Sequence, residues 1–136
     1  MKEEHNKIRR TLAIISKITT EKNKKTKFNA FCKELVHHET MEQKIWYPAL
    51  RKNSELRNII KHLLGEEKSA ARAIKKFKKT NFNFMWDLRY YKFKHDVDHH
   101  AKEEEKELFP KVKKLFSNTE LNTLGIKMRK FKATLK

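Results

Sequence analysis

A histidine followed four residues later by a glutamate occurs twice in this chain in nearly identical surroundings. His38 and Glu42 form the first pair, and His100 and Glu104 form the second, 62 positions further along. Residues four apart lie on the same face of a helix, so either pair alone is typical of an exposed ion pair. Imidazole and carboxylate groups are also ligands for transition metals. The repetition therefore requires an explanation beyond surface charge.

The repetition extends beyond the two pairs. The segments FNAFCKELVHHETMEQKIWYPAL (28–50) and YYKFKHDVDHHAKEEEKELFPKV (90–112) align without a gap, and each has a proline six residues after the glutamate. Upstream, His5 and Glu67 lie 33 residues before the two histidines, and each is followed by apolar residues at +3, +7 and +10. Duplication of one helical hairpin accounts for these matches.

The apolar residues around these positions recur with a helical period. Those before and after Glu67 are spaced alternately by three and four residues, which predicts one buried face of an amphipathic helix. The other histidines and glutamates lie on apolar faces in the same way. We therefore expect six polar side chains to point inward from four helices: His5, His38, Glu42, Glu67, His100 and Glu104.

Three inward carboxylates need a compensating positive charge, because burial of an unpaired carboxylate is strongly unfavourable. Mixed imidazole and carboxylate ligands on facing helices are typical of two divalent ions bridged by carboxylates, as in di-iron and di-manganese bundles. The absence of a thiolate argues against structural zinc. Glu42 and Glu104, one from each copy, are the natural bridges. The remaining ligands divide into two pairs, His5 with His38 and Glu67 with His100.

Length and composition agree with an all-α fold. The chain has 136 residues, 38% of them hydrophobic, and only two Gly and two Pro, which leaves little material for β-turns. We expect one domain, 1–136, in which two repeated helical hairpins form an up-and-down four-helix bundle. The hairpins span about 1–52 and 53–116, with helices predicted at 3–21, 27–51, 54–79 and 83–115 and a short C-terminal fifth helix at about 118–132.

Several short signals mark the predicted helix ends. Ser54 is expected to cap the third helix, and Ser117 with Glu120 matches a capping box that would begin the fifth. The basic runs Lys22–Lys27 and Lys75–Lys79 are predicted to form the first and third connections, at the same end of the bundle.

Two further features favour a cytoplasmic protein. The lone Cys32 cannot form an internal disulfide, as expected in a reducing compartment. The longest apolar run near the start is too short for a signal peptide or a membrane span, so no membrane partner is expected.

The formal net charge of +17 suggests an alternative function of another class. A basic helical protein without a redox metal would bind nucleic acid or an acidic partner. However, the excess is mostly lysine, 27 Lys against 7 Arg, spread over all helices and lacking the arginine forks that favour phosphate recognition. Specific nucleic-acid binding is therefore disfavoured, while docking of an acidic electron-transfer partner stays open.

The segments EEHNKI, HHETMEQKIWYP and HHAKEEEKELFP closely resemble the hemerythrin-like HHE cation-binding domains, and the resemblance covers nearly the whole chain. It implies a four-helix bundle that holds two non-haem iron ions joined by an oxo or hydroxo bridge, in preference to manganese or zinc. It also implies that the glutamate of each H-x-x-x-E pair bridges the irons. The positions that match the family's ligand pattern are His5, His38, Glu42, His100 and Glu104.

Glu67 departs from the family's pattern, which usually has histidine on the third helix. A carboxylate there adds negative charge and favours ferric iron, which looks more like sites that reduce oxygen or peroxide, or store iron, than like oxygen carriers. His62 is the competing third-helix ligand. It lies five residues before Glu67, about 140° around the helix, so it should face away if Glu67 faces inward. Glu39, next to His38, is a further candidate ligand, although Ala101 occupies its repeat position.

We therefore expect a di-iron protein that binds or reduces a small ligand, namely oxygen, nitric oxide or peroxide, in sensing, detoxification or iron handling. The sequence leaves open which of these roles applies and whether the protein is an enzyme. His37 and His99, which precede the two repeated ligand histidines, are expected on the helix surface or in support of the ligands.

Overall fold

The computed structural model of the chain describes residues 2–79 and 84–135, except for the side chain of Phe84. Within these ranges the chain is helical apart from short connections and contains no strand, which confirms the all-α architecture. The helices are α1 (Lys2–Lys17), α2 (Glu21–Met41, then a π-helical turn Glu42–Trp46, then Tyr47–Arg51), α3 (Arg57–Lys79), α4 (Phe84–Glu103, then a π-helical turn Glu104–Leu108, then Phe109–Leu115) and α5 (Asn118–Ala133). A 3₁₀ turn, Ser54–Leu56, leads into α3.

The two basic runs lie within helices, so their prediction as connections is wrong. Lys22–Lys27 belongs to the first turns of α2, which begins at Glu21. Lys75–Lys79 forms the last turns of α3, where positive charge interacts favourably with the helix dipole. Lysine has a high helix propensity, so a lysine run does not end a helix. Residues from both runs line one groove at the same end of the bundle.

Two predicted helix caps have different outcomes. Asn53, not Ser54, caps the segment before α3, because its side chain accepts a hydrogen bond from the backbone N–H of Glu55. At α5 the capping box is confirmed. The Ser117 hydroxyl accepts from the backbone N–H of Glu120 at 3.1 Å, and the Glu120 carboxylate accepts from the backbone N–H of Ser117 at 2.9 Å.

Two apolar clusters fill the interior, one towards each end of the bundle. The first draws on α1, α2, α3 and α4 and is rich in aromatic rings: Leu12, Ile15, Phe28, Phe31, Cys32, Leu35, Ile74, Phe77, Trp86, Tyr90, Phe93 and Val97. The second draws on α2, α3, α4 and α5: Met41, Trp46, Tyr47, Leu50, Leu56, Ile60, Leu63, Leu108, Val112, Leu124 and Met128. Helix α5 therefore occupies, in the second cluster, the place that α1 has in the first.

The π-helical turns of α2 and α4 begin at equivalent positions of the repeat. In α2 the backbone N–H of Tyr47 donates to the carbonyl oxygen of Glu42, five residues earlier, and in α4 that of Phe109 donates to Glu104. The next residue in each copy is a proline, which has no N–H to contribute to a regular helical bond. Single π turns are frequently found at functional sites. Both turns here begin at the two glutamates of the H-x-x-x-E pairs.

No helix in the described ranges is long and apolar enough to cross a membrane.

Candidate metal centre

A polar layer separates the two apolar clusters and contains all six side chains predicted to point inward. Glu42 and Glu104 are completely buried, and Glu67 and His5 are each only 1% exposed. The layer is completed by buried His38 and by His100, whose side chain is 14% exposed. Four helices contribute: α1 supplies His5, α2 supplies His38 and Glu42, α3 supplies Glu67, and α4 supplies His100 and Glu104.

The candidate ligand atoms form two groups that share one glutamate. In each group, the donor atoms lie within 4.8 Å of one another. The first group consists of His5, His38 and Glu104, and the second of Glu42, Glu67, His100 and Glu104. Glu104 thus lies between the groups. Glu42 is also close to both, because its Oε1 is 3.2 Å from His38 Nε2.

Five candidate ligand atoms in this layer have no hydrogen-bond partner among the described residues: His5 Nε2 and both carboxylate oxygens of Glu42 and of Glu104. His38 Nε2 and His100 Nε2 approach these carboxylates to 3.2 and 2.8 Å, but neither contact has hydrogen-bond alignment. Buried oxygens without donors are strongly unfavourable. Coordination to metal would satisfy them, so the residues fit a metal site.

Charges within the layer shift several pKa values. Burial alone would lower the pKa of His100, but the adjacent carboxylates of Glu104 and Glu67 raise it to about 11. Burial raises the pKa of Glu42 well above its usual range, and the charges of Glu104 and Glu67 raise it further. Burial lowers the pKa of His5, although Glu104 opposes this effect. In the absence of metal, a proton on His100 therefore offsets part of the negative charge.

The repeated histidines are oriented by equivalent carboxylates. His38 Nδ1 lies 3.1 Å from Glu4 Oε1, and His100 Nδ1 lies 2.9 Å from Glu66 Oε1. Glu4 and Glu66 each precede their histidine by 34 residues. With Nδ1–H donating to a carboxylate, Nε2 is left to face the polar layer, as in many carboxylate–histidine–metal sites.

His5 and Glu67 occupy equivalent positions but have different neighbours. His5 Nδ1 lies 3.0 Å from Glu105 Oε2, and Arg9 donates two hydrogen bonds to the same carboxylate at 2.9 and 3.1 Å. Gln43 is the repeat equivalent of Glu105. It instead donates from Nε2 to Glu67 Oε1 at 2.9 Å. The His5 imidazole therefore faces an acceptor, Glu105, whereas the Glu67 carboxylate faces a donor, Gln43.

Tyr47 and Phe109, which occupy equivalent positions of the repeat, also differ in the contacts they make with Glu67 and His5. Tyr47 donates its hydroxyl hydrogen to Glu67 Oε2 at 3.3 Å. Phe109, its repeat equivalent, instead stacks on the imidazole of His5 with ring centroids 5.9 Å apart. The sequence prediction missed the supporting roles of these neighbours. The 62-residue offset that aligns Tyr47 with Phe109 is the signal that would have found them.

The two additional predicted ligands lie in different places. Glu39 is buried against the polar layer but belongs to neither ligand group, and burial with the charge of Glu67 raises its pKa well above the usual range. His62 has a 61% exposed side chain, and its Nε2 lies 2.8 Å from Glu103 Oε2 on the outer face. Glu67, rather than His62, is therefore the α3 residue in the buried layer.

A cavity of about 470 Å³ adjoins the ligands. Its polar wall includes His5, His38, Glu39 and His100, and its apolar wall includes Leu35, Phe77, Phe93 and Val97. The arrangement leaves space for a small ligand beside the imidazoles.

Residues 1–112 match the family described as Hemerythrin HHE cation binding domain. Among solved structures, the chain is similar to a Hemerythrin HHE cation binding domain-containing protein from Mycobacterium kansasii. The two share 21% sequence identity with a TM-score of 0.79, and the match covers 98% of this chain and 85% of that chain. At this identity the likeness shows a common fold. No curated protein sequence matches the chain significantly.

Proposed function

Because the chain belongs to the Hemerythrin HHE cation binding domain family, we propose that it holds a non-haem pair of iron ions that binds or reduces a small ligand: oxygen, nitric oxide or peroxide. The proposed ligands are His5, His38, Glu42, Glu67, His100 and Glu104. The observation that carries the proposal is the set of five buried ligand atoms without hydrogen-bond partners, from His5, Glu42 and Glu104. When bound, the iron pair supplies a redox-active Lewis acid beside the cavity.

The donor set supports iron over zinc. Three imidazoles and three carboxylates without a thiolate suit a borderline redox metal, whereas structural zinc sites commonly include cysteine. Cys32, the only cysteine of the chain, is buried in the first apolar cluster and is not among the ligands. Glu42 and Glu104 are proposed as the bridges, because each lies close to donor atoms of both groups.

The surrounding residues favour ligand reduction or iron handling over reversible oxygen carriage. Glu67 adds a negative charge, which stabilises the ferric state. Glu39 lines the cavity beside the proposed ligands, and burial raises the pKa of its carboxyl group well above the usual range. Glu39 is proposed as a possible additional ligand. We expect the protein to act in the cytoplasm, consistent with its lone reduced cysteine.

Metal analysis after anaerobic loading with ferrous iron tests the proposal. The protein should retain about two iron ions per chain, and exposure to air should produce near-ultraviolet charge-transfer absorption. His38→Ala and His100→Ala should lose iron, whereas His37→Ala should retain it. Retention of one zinc ion with no uptake of iron would overturn the di-iron proposal, and a chain that takes up no metal would favour the basic partner-binding alternative.

A further inference from the structure

A second group of metal-ligand side chains lies on the outer face of α3 and α4. His62 and Glu66 are four residues apart on α3, and His99 and Glu103 are four residues apart on α4. The chain therefore has two further H-x-x-x-E pairs, and they face each other across neighbouring helices. We refer to these four side chains as the surface cluster.

Contacts between the helices bring the surface cluster together. His62 Nε2 lies 2.8 Å from Glu103 Oε2, and His99 Nε2 contacts the other oxygen of the same carboxylate. Glu66 Oε2 lies 3.5 Å from His62 Nε2 and 3.9 Å from His99 Nε2. The donor atoms of His62, Glu66 and Glu103 all lie within 4.8 Å of one another, so one ion can contact ligands from both helices.

Exposed ion pairs within each helix are the simpler explanation of such a cluster. They account for the contact of His62 with Glu66 and of His99 with Glu103. The contact between His62 and Glu103, however, joins α3 to α4, so imidazole and carboxylate groups from both helices meet at one place. Glu66 also contacts the buried layer, where its Oε1 lies 2.9 Å from His100 Nδ1.

Glu66 connects the surface to the buried centre. One of its oxygens faces the exposed histidines, and the other contacts His100. Glu66 and His99 also line the cavity that reaches His38 and His100. A cation held at the surface cluster is therefore adjacent to the opening that leads to the buried ligands.

We propose that His62, Glu66, His99 and Glu103 bind a divalent transition-metal ion and that ions pass from this site, past Glu66, to the buried centre. The mixture of imidazole and carboxylate suits ferrous iron and its borderline neighbours, cobalt, manganese and zinc. The histidine side chains are 55–61% exposed, so a bound ion keeps water ligands and exchanges readily. The transfer role rests on the proposed function, but binding at the surface cluster does not.

Equilibrium dialysis of the metal-free protein against Co²⁺ tests the surface site. The wild type should bind about three ions per chain, one of them weakly, and the double variant His62→Ala/His99→Ala should lose only the weak ion. His37→Ala is the matched control, because His37 is the repeat equivalent of His99 and lies outside the cluster. Glu103→Gln, which changes the shared carboxylate with little change in shape, should reproduce the loss. Equal Co²⁺ binding by wild type and both cluster variants would overturn the site.

Stopped-flow loading with Fe²⁺ under anaerobic conditions tests the transfer role. The double variant should fill the buried centre about tenfold more slowly, with an unchanged final iron content, because only the path is impaired. Equal loading rates would overturn the transfer role. If the buried centre binds no metal, the wild type should hold one Co²⁺ ion that His38→Ala keeps and His62→Ala/His99→Ala loses. That result would reject the proposed function while supporting the surface site.

Discussion

The two halves of the proposed metal centre have similar backbone geometry but differ in one proposed ligand. In both halves a histidine and a glutamate four residues apart lead into a π-helical turn, and a carboxylate 34 residues upstream contacts the histidine. The halves differ at the position 33 residues before each repeated histidine: the first half has His5, on α1, and the second has Glu67, on α3. The two halves therefore share the same local helix geometry but differ in side-chain type at one position.

The neighbours of His5 and of Glu67 differ, and each set matches the hydrogen-bonding needs of the side chain it contacts. Glu67 receives hydrogen bonds from Gln43 and Tyr47, whereas His5 contacts the carboxylate of Glu105 and the ring of Phe109. An imidazole N–H needs an acceptor, and a carboxylate needs donors. The residues around Glu67 are therefore suited to a carboxylate at this position, which supports its proposed role as a ligand.

The largest effect should come from the carboxylate that belongs to both ligand groups. Glu104→Gln removes a negative charge that lies beside every other proposed ligand. Glu42→Gln should matter less, because Glu42 belongs to one group and approaches the other at His38. Iron content after dialysis should fall more in Glu104→Gln than in Glu42→Gln, with a loss of affinity exceeding the roughly 10–100-fold typical of outer supporting residues. Equal losses would show that the two glutamates bridge symmetrically.

Exchanging the ligand type tests whether the neighbours of Glu67 are specific for a carboxylate. Glu67→His alone leaves the donors Gln43 and Tyr47 without their acceptor, so iron should bind about 10–100-fold more weakly. The triple variant Glu67→His/Gln43→Glu/Tyr47→Phe copies the other half and should recover most of that loss. Once loaded, the single variant Glu67→His should also oxidise more slowly in air than the wild type, because it removes one negative charge, whereas the triple variant restores a carboxylate at position 43. Triple and single variants with the same affinity would contradict this account.

The helical faces and the inward-pointing polar side chains could be predicted from the sequence because both depend on local geometry. Spacings of three and four place His38 with Glu42 on one face, and the angle between His62 and Glu67 separates them on α3. The π-helical turns and helix ends were less predictable. Lys22–Lys27 is compatible with either helix or connection, and Asn53 and Ser54 are both good capping residues.

The supporting contacts were harder to predict because they cross between helices. Gln43 and Glu105 resemble ordinary surface residues, and only the relative rotation of the helices shows that they contact Glu67 and His5. The contact between His62 and Glu103 is of the same kind. An alignment of the two halves shows that Gln43 and Glu105 are equivalent. It does not show that one donates to a carboxylate and the other accepts from an imidazole, because that depends on which helices pack against them.

Proton binding should also distinguish the two halves in metal-free protein. The pKa of His100 is raised from 6.5 to about 11, whereas that of His5 is lowered by burial. At pH 7, NMR of the imidazole groups should therefore show a protonated His100 and a neutral His5. A neutral His100 at this pH would contradict the charge difference between the halves.

The same shifts predict how stability depends on pH. A raised pKa means that the folded state retains a proton that the unfolded chain releases. The contribution of His100 is fully present below pH 6.5 and is lost as the pH rises towards 11, and the raised pKa of Glu42 acts in the same direction above pH 4.5. In chelator-treated protein, the free energy of unfolding in urea should be at least about 1 kcal/mol lower at pH 9 than at pH 6. Glu42→Gln should reduce this dependence, and greater stability at pH 9 would contradict it.

The smallest effects on stability should come from Arg9 and Lys132, two partly exposed cations. They contact Glu105 and Glu4, the carboxylates that lie beside the histidines of the first half. Arg9 donates two hydrogen bonds to Glu105 and one to Asp98, whereas Lys132 of α5 donates to Glu4. These side chains are about a quarter to a third exposed, so solvent weakens their contributions. Arg9→Ala should lower the free energy of unfolding by about 1 kcal/mol and Lys132→Ala by about half as much. Urea denaturation of the two variants measures the difference, and a larger effect of Lys132→Ala would mean that α5, through Glu4 and His38, supports the centre more strongly than the network around Arg9 does.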